Sequence, residues 1–532
     1  MPVGNRPHFG MKSSGRSADK ELYRHLRALS CERLWDEEVA RFDRATTEER
    51  TERVALVRAV GVVFSETGTP EQRAIARVWL RGLLHDPLEK IRRYAIAALP
   101  KIGTGSNEET ELLSLLRTTT VEREKKFLGR ALEKVGGVAT LEQMKGAGGL
   151  HLQTEQKVRA SLARAQMPSA VRMDRLLSDF TGLRIHLRGR RGLEQIVRDE
   201  VEAFIRKYGK FRIAEVHNGL IAITPVAPFS LADIYKFRCF GTVGLMVGTN
   251  VPDGAKSIDA LASVITSPLS RRVLERFTEG PTRYRLDFIS KGHQRGAVRL
   301  LANRVYARCP EILNSAQEAP WTIAIHSTGR GNSVELSPRL TPDPRFYYRQ
   351  DDVPAASHPP LAACMARLAG KMDNEVVWDP FCGSGLELIE RALLGGVRRI
   401  YGTDRSPEAL AITEKNFAAA KVPSTESKFV CCDFRDFASV EGLGPNAATL
   451  IVTNPPMGKR VHIANVGQLI ADLFAVASTV LRPDGRLVFA NPLRMESPEP
   501  SLKLQSRRVV DLGGFDCRLE VYLKVAGSRR RS

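Results

Sequence analysis

The feature that most constrains the fold of this chain is a pair of short segments in its last third. The first, 375–385, reads EVVWDPFCGSG, an apolar run followed by an acid and a glycine-rich turn, and a helical pattern follows it. The second, 449–460, reads TLIVTNPPMGKR, and its two prolines prevent a strand from continuing. Gly383 and Gly385 carry no Cβ, so the backbone there can approach a ligand closely. The two segments predict neighbouring strands of one α/β sheet, each followed by a ligand-binding loop.

Further apolar runs in the same region predict the rest of the sheet. The predicted strands cover 376–379, 398–404, 428–433, 449–454 and 486–491. Helical segments alternate with them, which is typical of a mostly parallel sheet with α/β architecture. The segment 507–525 predicts a β-hairpin that adds an antiparallel last strand.

Polar side chains stand where four of these strands end, namely at Asp379, Asp404, Asp433 and Asn454. Ligands bind such sheets at the carboxyl ends of the strands. Asp404 follows Gly385 by 19 residues (385 to 404), the offset at which a carboxylate meets a ribose hydroxyl. Each acid taken alone could instead be a helix cap or a loop salt bridge. A nicotinamide dehydrogenase uses a similar loop and acid, but GxGxxG is absent here and that class does not explain the Asn-Pro-Pro segment.

DPFCGSG, an acid after the next strand and NPPxGxR together resemble the class I S-adenosylmethionine (SAM) methyltransferases that modify exocyclic amines of bases. Within that group the chain looks most like the THUMP-domain RNA guanine-N2 methyltransferases. The resemblance is specific over 348–525 and looser over 178–349. It implies SAM as the cofactor, with the glycine loop around its methionine moiety and Asp433 at the adenine amine, beside Phe434 or Cys432. The implied cofactor-binding residues are Asp379, Pro380, Phe381, Cys382, Gly383, Ser384, Gly385, Asp404, Asp433, Phe434 and Asn454.

The resemblance assigns the transfer itself to the Asn-Pro-Pro segment. An exocyclic base amine is a poor nucleophile because its lone pair is delocalised into the ring. The Asn454 side-chain oxygen and the Pro455 carbonyl can each accept one N–H, which orients the amine towards the methyl group. The reaction then needs mainly alignment and desolvation, and no strong base. The base must leave its stack to enter, which suits a loop, a bulge or a single strand.

The predicted catalytic residues are Asn454, Pro455, Pro456 and Met457. Met457 occupies the position where the related enzymes carry a Tyr or Phe that stacks on the target base. A thioether can also pack on a ring, but less rigidly. This departure weakens an adenine-N6 assignment more than a guanine-N2 one. Gly458 and Arg460 match the NPPxGxR form of the guanine-N2 RNA enzymes, and Arg460 could alternatively be a surface or phosphate contact.

The middle of the chain, 170–345, alternates strands and helices. It predicts a strand, a basic turn and a helix over 192–208, then two strands on either side of a His-Asn-Gly turn. This α+β pattern resembles the ferredoxin-like and THUMP modules, which implies binding of structured RNA. Basic residues in its turns could contact phosphates, or they could be solvated loop charges. With Arg460, the predicted RNA-binding residues are Arg188, Arg190, Arg191, Lys291, His293 and Arg295.

The N-terminal third, 20–145, has apolar residues at helical spacing. The segment 85–103, with an Asp-Pro turn, an alanine-rich helix and a final Gly, is similar to one HEAT-type repeat, and 121–137 echoes it. Such a domain could dock RNA or a protein partner, or simply be an ordinary helical domain. The glycines at 146–149 predict a linker. Residues 1–19 predict a basic disordered tail, and organellar import is the alternative.

The length, net charge and cysteine content of the chain narrow the class of protein. At 532 residues it exceeds one hydrophobic core, so we expect about two to four domains, the last being a Rossmann-like methyltransferase domain over 346–532. A net charge of +20 favours nucleic acid as the partner. The eight cysteines show neither CxxC pairs nor zinc-ligand spacing, so we expect no metal and a reducing compartment. No apolar run reaches the length of a membrane span, so we expect a soluble, cytoplasmic protein.

The leading hypothesis is therefore a SAM-dependent RNA methyltransferase that modifies guanine N2 in tRNA or rRNA. An adenine-N6 methyltransferase acting on DNA or RNA is the first alternative, since charge alone does not separate the two nucleic acids. A methyltransferase for a protein glutamine amide fits the charge and the RNA-binding-like module less well. A non-catalytic RNA-binding or ribosome-assembly factor that retains the SAM fold is the last alternative.

Overall fold

The structure is a computed structural model that describes residues 14–103, 106–145, 152–166, 168–253, 257–289, 294–316, 318–328, 330–354, 356–422, 425–457 and 465–526. Its contacts divide the chain into two compact units. Unit 1 comprises Met1–Ala170, Glu279–Leu286 and His293–Ala319, and unit 2 comprises Val171–Thr278, Asp287–Gly292 and Pro320–Ser532. These units do not follow the predicted boundaries, because two stretches of the predicted 170–345 module belong to unit 1.

Unit 1 is mainly helical, as its periodicity predicts. Its helices are α1 (Ser14–Arg27), α2 (Cys31–Arg33), α3 (Ala40–Arg44), α4 (Thr47–Glu52), α5 (Ala55–Thr67), α6 (Pro70–Gly82), α7 (Glu89–Ile102), α8 (Ser106–Thr118), α9 (Glu122–Val135), α10 (Val138–Lys145) and α11 (Leu152–Gln166), with a π-helix over Leu34–Val39 and a 3₁₀ turn over Leu83–His85. Helix α1 begins at Ser14, inside the range predicted as a tail, because Leu22, Tyr23 and Leu26 give it an apolar side that packs on the core. The rest of that range, and the predicted linker at 146–149, lie outside the described residues.

The helices of unit 1 share one hydrophobic core, to which α5 and α7 contribute most of their length. Gly61 of α5 faces Ala98 of α7 so closely that a Cβ there would lie 2.7 Å from the Ala98 Cβ. Helices α7 and α9 are also neighbours, joined by the ion pair of Arg92 with the buried Glu124. The two segments that resemble a repeated unit are therefore both helical and packed together. Their assignment to the HEAT type stays a prediction.

The remaining elements of the middle region lie in both units. Its short strands and helices are β1 (Ala170–Val171), β2 (Arg184–Arg188), α12 (Glu194–Tyr208), β3 (Phe211–His217), β4 (Leu220–Pro225), α13 (Leu231–Ile234), β5 (Thr242–Val251), α14 (Ser257–Ile265), α15 (Pro268–Phe277), β6 (Thr278–Glu279), β7 (Arg283–Ile289), α16 (Arg295–Arg308), β8 (Leu313–Asn314), β9 (Trp321–Thr328) and β10 (Gly331–Pro338). Helix α16 and strand β8 belong to unit 1.

Six strands of unit 2 pair antiparallel in the order β3-β4-β2-β5-β10-β9. The predicted strands on either side of the His-Asn-Gly turn are confirmed as β3 and β4. Helix α12 begins at Glu194, two residues after the predicted start, because Gly192 has a left-handed φ of +95° and lies against the backbone of Val509. Whether this module is of the ferredoxin-like or THUMP type stays a prediction.

The C-terminal part of unit 2 is an α/β layer structure. Its elements are α17 (Pro359–Leu368), β11 (Glu375–Asp379), α18 (Leu386–Leu393), β12 (Val397–Asp404), α19 (Pro407–Ala420), β13 (Glu426–Cys431), β14 (Ala448–Thr453), α20 (Val466–Val480), β15 (Leu481–Asn491), β16 (Leu502–Asp511) and β17 (Asp516–Lys524), with 3₁₀ turns over Pro344–Phe346 and Phe434–Ser439. The sheet order is β13-β12-β11-β14-β15-β17-β16. The first five strands are parallel and the final hairpin is antiparallel, as predicted.

Both faces of this sheet are covered. On one face, Val376 and Trp378 of β11 pack in a cluster with side chains of α20. A second cluster joins Ala362 of α17, Ile389 of α18 and Ala420 of α19. Because both faces are buried, the strands read as nearly continuous apolar runs rather than as alternating ones. This arrangement leaves the carboxyl edge of the parallel strands as the place where polar side chains collect.

Charged side chains join the middle sheet region to the α/β layer within unit 2. Arg238 pairs with Glu390 of α18 at 2.7 Å, and Glu390 also accepts a hydrogen bond from the Tyr348 hydroxyl. Arg367 of α17 pairs at 2.7 Å with Glu200 of α12. Glu200 and Glu390 are both at least 95% buried, so these contacts fix the two regions as one body. Among the described residues, the helices are too short or too polar to cross a bilayer.

Candidate active site

Four predicted polar residues meet at the carboxyl edge of the α/β sheet. Asp379 and Asp404 are the last residues of β11 and β12, and Asn454 directly follows β14. Asp433 lies two residues beyond Cys431, where β13 ends, so this strand begins and ends two residues earlier than predicted. Because β13, β12, β11 and β14 are consecutive parallel neighbours, their ends lie side by side. The sequence prediction that these strand ends form one edge is confirmed.

The glycine-rich turn between β11 and α18 has the backbone that only glycine adopts easily. Gly383 and Gly385 have left-handed φ values of +53° and +81°. The Gly383 N–H donates to Asp404 Oδ2 at 3.0 Å, and the Ser406 N–H donates to Asp404 Oδ1 at 3.0 Å. Asp404 is thereby held against the turn, with lone pairs left on both oxygens for ligand hydroxyls.

Two buried polar residues of α19, which the sequence prediction missed, hold this turn from behind. Thr413 Oγ1 donates to the Gly383 carbonyl at 2.8 Å, and Asn416 Nδ2 donates to the Ser384 carbonyl at 2.9 Å. Both side chains are fully buried. Their spacing of three residues on an otherwise apolar helix face was the signal available in the sequence. They fix carbonyl groups that would otherwise be free to rotate, which shapes the loop for a ligand.

Asp379 is a buried acid beneath the turn. Its Oδ1 accepts hydrogen bonds from Thr453 Oγ1 at 2.5 Å and from the Phe381 N–H at 3.0 Å. Within the described part of the chain, its Oδ2 is buried and has no hydrogen-bond partner. Burial and the nearby Glu387 carboxyl raise the pKa of Asp379 well above its ordinary value. A buried unpartnered oxygen of this kind is a place where a bound ligand can donate a hydrogen bond.

Asn454 is oriented by two residues that the sequence prediction did not include. Its Nδ2 donates to Ser357 Oγ at 2.8 Å, and the Ser357 hydroxyl in turn donates to Glu387. The amide oxygen, Oδ1, is buried and finds no partner among the described residues. Burial raises the pKa of Glu387, which is only 4% exposed. The hydrogen bonds that link Glu387, Ser357 and Asn454 therefore fix the amide of Asn454. They leave its acceptor atom, Oδ1, available to a ligand.

Both added residues left some signal in the sequence. Ser357 stands directly before the His-Pro-Pro step, whose prolines begin α17. Glu387 is an acid on the buried face of α18, and such acids are rare unless they have a partner. The partner is 30 residues away in the chain, so only the fold reveals the pair.

The remaining predicted residues of the segment after β14 follow in order. Pro455 is buried, while Pro456 and Met457 are half-buried. Pro380 and Cys382 are buried in the turn after β11. Gly458 and Arg460 lie outside the described residues.

Asp433 acts as a cap and as an ion-pair partner, which is the alternative that its position also allowed. It caps the 3₁₀ turn after β13 by accepting the Arg435 N–H at 3.0 Å, and it forms an ion pair with the Arg435 guanidinium at 2.9 Å. Phe434 is buried with its ring centroid 4.8 Å from that of Phe381, so these two predicted residues do come together. Binding of an adenine amine by Asp433 stays a prediction.

The residues predicted to bind RNA have different surroundings. Arg188 is bound to the buried Glu335, with Nε 3.2 Å from Oε2, so its charge is already neutralised inside the sheet. Arg190 donates to the Asp511 carbonyl at 3.0 Å and anchors the C-terminal hairpin. Arg191 is about two-thirds exposed and only 3.9 Å from Asp516 in a loose ion pair. Arg295 is the first residue of α16, while Lys291 and His293 lie outside the described residues.

Among the described residues, no three His, Cys, Asp or Glu side chains are grouped so as to hold a metal ion. The site is built from a glycine turn, acids at strand ends and an amide before two prolines. A sheet of this strand order, with an antiparallel hairpin at one end and this turn after its first central strand, defines the class I methyltransferase fold.

Comparison with known proteins gives the family. Residues 347–501 match the family described as "UPF0020: RMKL-like, methyltransferase domain". A probable tRNA (guanine(10)-N2)-dimethyltransferase of Methanothermococcus thermolithotrophicus is 30% identical over 134 residues, which cover 25% of this chain and 78% of that protein. The chain therefore belongs to the RMKL-like family of methyltransferases.

Other relatives match over smaller shares of their length. A tRNA (guanine(10)-N2)-dimethyltransferase of Methanocaldococcus jannaschii is 28% identical over 209 residues, 38% of this chain and 55% of that protein. The ribosomal RNA large subunit methyltransferase K/L of Shewanella amazonensis is 29% identical over 213 residues, 32% of this chain and 29% of that protein. The chain thus spans about half or less of these relatives. The crystal structure of TrmN from Thermus thermophilus has a TM-score of 0.52 at 18% identity, covering 64% of this chain and all of that one, and it supports the fold.

Proposed function

We propose that this protein is a SAM-dependent RNA methyltransferase that transfers a methyl group to an exocyclic base amine, most specifically N2 of guanine. The observation that carries the proposal is the Asn454 side chain, whose Oδ1 is buried and unpartnered among the described residues while its Nδ2 is committed to Ser357. An oriented acceptor at the end of a strand, next to a ligand-binding turn, is what an amine substrate requires.

SAM fits the residues of the turn. Asp404 offers lone pairs for the ribose hydroxyls, the Gly383–Gly385 turn allows close approach of the methionine moiety, and Asp379 Oδ2 is a buried polar atom without a partner among the described residues. Phe381 and Phe434 provide an apolar wall suited to the adenine ring. Bound SAM supplies an electrophilic methyl group on a sulfonium. The other requirements of the reaction fall on the chain itself.

The acceptor side is supplied by the segment that follows β14. The Asn454 Oδ1 and the Pro455 carbonyl would each accept one N–H of the target amine, which turns the nitrogen lone pair towards the methyl group. A new N–C bond forms as the S–C bond breaks, and the nitrogen releases its extra proton to water. Because alignment and desolvation carry the rate, no general base is needed. Pro455 and Pro456 hold the backbone rigid where the two acceptors must stay in register.

Guanine N2 in RNA is supported by several independent features. The chain has a net charge of +20, suited to a polyanion. Two of the relatives are named as tRNA (guanine(10)-N2)-dimethyltransferases and one as a ribosomal RNA methyltransferase. Met457 replaces the aromatic residue expected of an adenine-N6 enzyme. The middle α+β region, by its resemblance to a THUMP module, would supply RNA contacts through exposed residues such as Arg191.

The test incubates the full-length protein with methyl-labelled SAM and separate pools of tRNA, rRNA and duplex DNA, then identifies the labelled nucleoside. N2-methylguanosine from one RNA pool is the expected product. Asn454→Ala should lower the rate of label incorporation about 100-fold or more, because loss of one positioning hydrogen bond lowers the rate by that factor in comparable sites. Gln468→Ala, which removes an exposed amide at the start of α20, is the matched control and should leave the rate unchanged.

The other outcomes separate the alternatives. Label in methyladenine would overturn the base assignment while keeping the chemistry. SAM binding without any label, measured by calorimetry on the same preparation, would point to a non-catalytic RNA-binding or assembly factor.

A further inference from the structure

Helix α9 of unit 1 presents a face made of cations. Its exposed side chains Arg123, Lys126, Arg130 and Lys134 recur at steps of three and four residues, which places them on one side of the helix. The half-buried Phe127 lies among them. The opposite side of α9, including Leu128 and Leu132, is buried in the core. Glu122 and Glu133 border this face, but each of them is paired with a lysine outside it, Lys125 and Lys157 respectively.

The neighbouring helices continue this face. Helices α1, α5, α7 and α9 pack one beside the next. On α7 the exposed Lys101 has its pKa lowered by Lys134 of α9 and by Arg58 of α5. The exposed Arg58 has its guanidinium 4.3 Å from the ring centroid of Tyr23 in α1. We call Arg58, Lys101, Arg123, Lys126, Arg130 and Lys134 the basic row.

The members of the basic row have no acidic partner among the residues that the structure describes. Within the described part of the chain, none of the six lies within 4.0 Å of a carboxylate oxygen, although nearby arginines of unit 1 are paired. Arg81, for example, is bound to Glu111, and Arg92 to the buried Glu124. These acids of the unit are therefore paired with cations outside the row. Unpaired like charges on rigid neighbouring helices repel each other and lower stability.

Titration of Lys101 reflects this repulsion. Desolvation by the surrounding protein lowers its pKa, the cations Arg58, Lys134 and Arg27 lower it further, and Glu66 acts in the opposite direction. Glu66 is itself committed to Arg27 at 3.0 Å. The cations around Lys101 thus outnumber the acids that act on it, and an external polyanion would relieve the repulsion.

We propose that the basic row is a second RNA-binding surface, which holds the phosphate backbone without reading bases. Backbone binding is favoured over base readout because the aromatic rings present are already covered. Arg58 lies over Tyr23, and both Arg93 and Arg130 lie over Phe127, so a base that stacked on either ring would have to compete with a cation. Cations on rigid helices suit phosphates, which position an RNA independently of its sequence. The choice of RNA over other polyanions rests on the proposed function.

The test measures binding of the full-length protein to a labelled structured RNA over a range of salt concentrations, without any methyl donor. The double substitution Lys126→Gln and Arg130→Gln removes two charges. Glutamine is a good helix former, and neither position belongs to the core. Loss of two phosphate contacts should lower the slope of log K against log salt by about 1.5 and weaken binding several-fold at about 0.1 M salt. The matched control, Arg41→Gln with Arg44→Gln, removes two exposed charges of α3, outside the row, and should change neither quantity.

The readout distinguishes this proposal from the methyltransferase assignment. Binding is measured without transfer, so an Asn454→Ala protein that makes no product should still show the full effect of the row substitutions. Equal affinity and equal salt slope for the row and control variants would overturn the proposal. Tight binding of polyglutamate with loss of RNA binding would also overturn it, in favour of an acidic protein partner. Thermal unfolding of both variants checks that the helices remain folded.

Discussion

Asn454 and Ser357, 97 residues apart in the chain, are joined by a hydrogen bond in which the Asn454 Nδ2 donates to the Ser357 Oγ at 2.8 Å. Since Ser357 itself donates to Glu387, its hydroxyl oxygen is the acceptor that the amide nitrogen needs. The amide therefore cannot exchange its oxygen and nitrogen without losing this bond. The relationship determines which atom of Asn454 meets the substrate.

Ser357→Ala should slow methyl transfer without preventing cofactor binding. The freed amide can rotate and present its NH₂ group to the amine, which costs about 1–2 kcal/mol of alignment, or roughly a 10-fold fall in kcat. The Kd for SAM, measured by calorimetry, should change less than about 2-fold. Ser357→Thr keeps the hydroxyl and should restore most of the rate. An alanine variant with wild-type kcat would show that Ser357 does not orient Asn454.

Asp404→Ala should weaken SAM binding strongly. The carboxylate accepts two backbone N–H groups of the turn and is the proposed partner of the ribose hydroxyls, and charged hydrogen bonds of this kind contribute about 1.5–3 kcal/mol. We expect the Kd for SAM to rise about 10- to 100-fold in a calorimetric titration. Glu408→Ala, two residues into the same loop–helix junction, should leave the Kd unchanged. Equal effects of both substitutions would argue against a ribose contact.

Gly385→Ala should destabilise the fold and distort the turn. Gly385 has φ of +81°, and a Cβ there would lie 3.0 Å from Thr413 Cγ2. The conformational strain alone should lower the free energy of unfolding by about 1–3 kcal/mol, so the melting temperature should fall by several degrees. Gly444 has open space around it, so Gly444→Ala should have little effect. A Gly385→Ala protein with an unchanged melting temperature would mean that the turn adapts freely.

Glu387→Gln should change the pH dependence of stability. Burial raises the pKa of Glu387 above its ordinary value of 4.5, so the native state keeps this proton over a range in which the unfolded chain has lost it. Native protein then binds more protons, and this contribution to stability falls as pH rises from about 4.5 through the raised pKa. The glutamine variant lacks this loss. Its melting temperature relative to wild type should therefore increase between pH 4.5 and pH 8, and a pH-independent difference would contradict the assignment.

Arg238→Met should be among the most destabilising single changes in unit 2. It leaves Glu390, only 2% exposed, without its cation, and breaking a buried pair typically costs about 3–5 kcal/mol. Combining it with Glu390→Met should recover much of the loss in a double-mutant cycle followed by thermal unfolding. Arg198→Met, which breaks the exposed pair with Glu202, should cost less than about 1 kcal/mol. Additive effects of the two Met substitutions would show that the pair is not coupled.

Local sequence pattern was sufficient for the elements of the α/β layer. The strands ending at Asp379 and Asp404 and the C-terminal hairpin all lie where apolar runs and glycines predicted them. These signals act over a few residues, through φ restriction and the removal of backbone donors, so they are readable without the fold. For the same reason the acids of neighbouring parallel strands could be assigned to one edge.

Contacts between distant residues were decided by the tertiary structure alone. Arg188 looked like an RNA ligand from its basic turn, yet it is bound to Glu335, 147 residues away. The orientation of Asn454 by Ser357 and Glu387, and the hold of Thr413 on the glycine turn, likewise join separate elements. Sequence determined which residues could carry charge, donate or accept, and where the chain could turn. Which of those groups found a buried partner, and which were left free for a ligand, depended on packing, because burial makes an unpaired polar group costly and so selects its partner in space rather than along the chain.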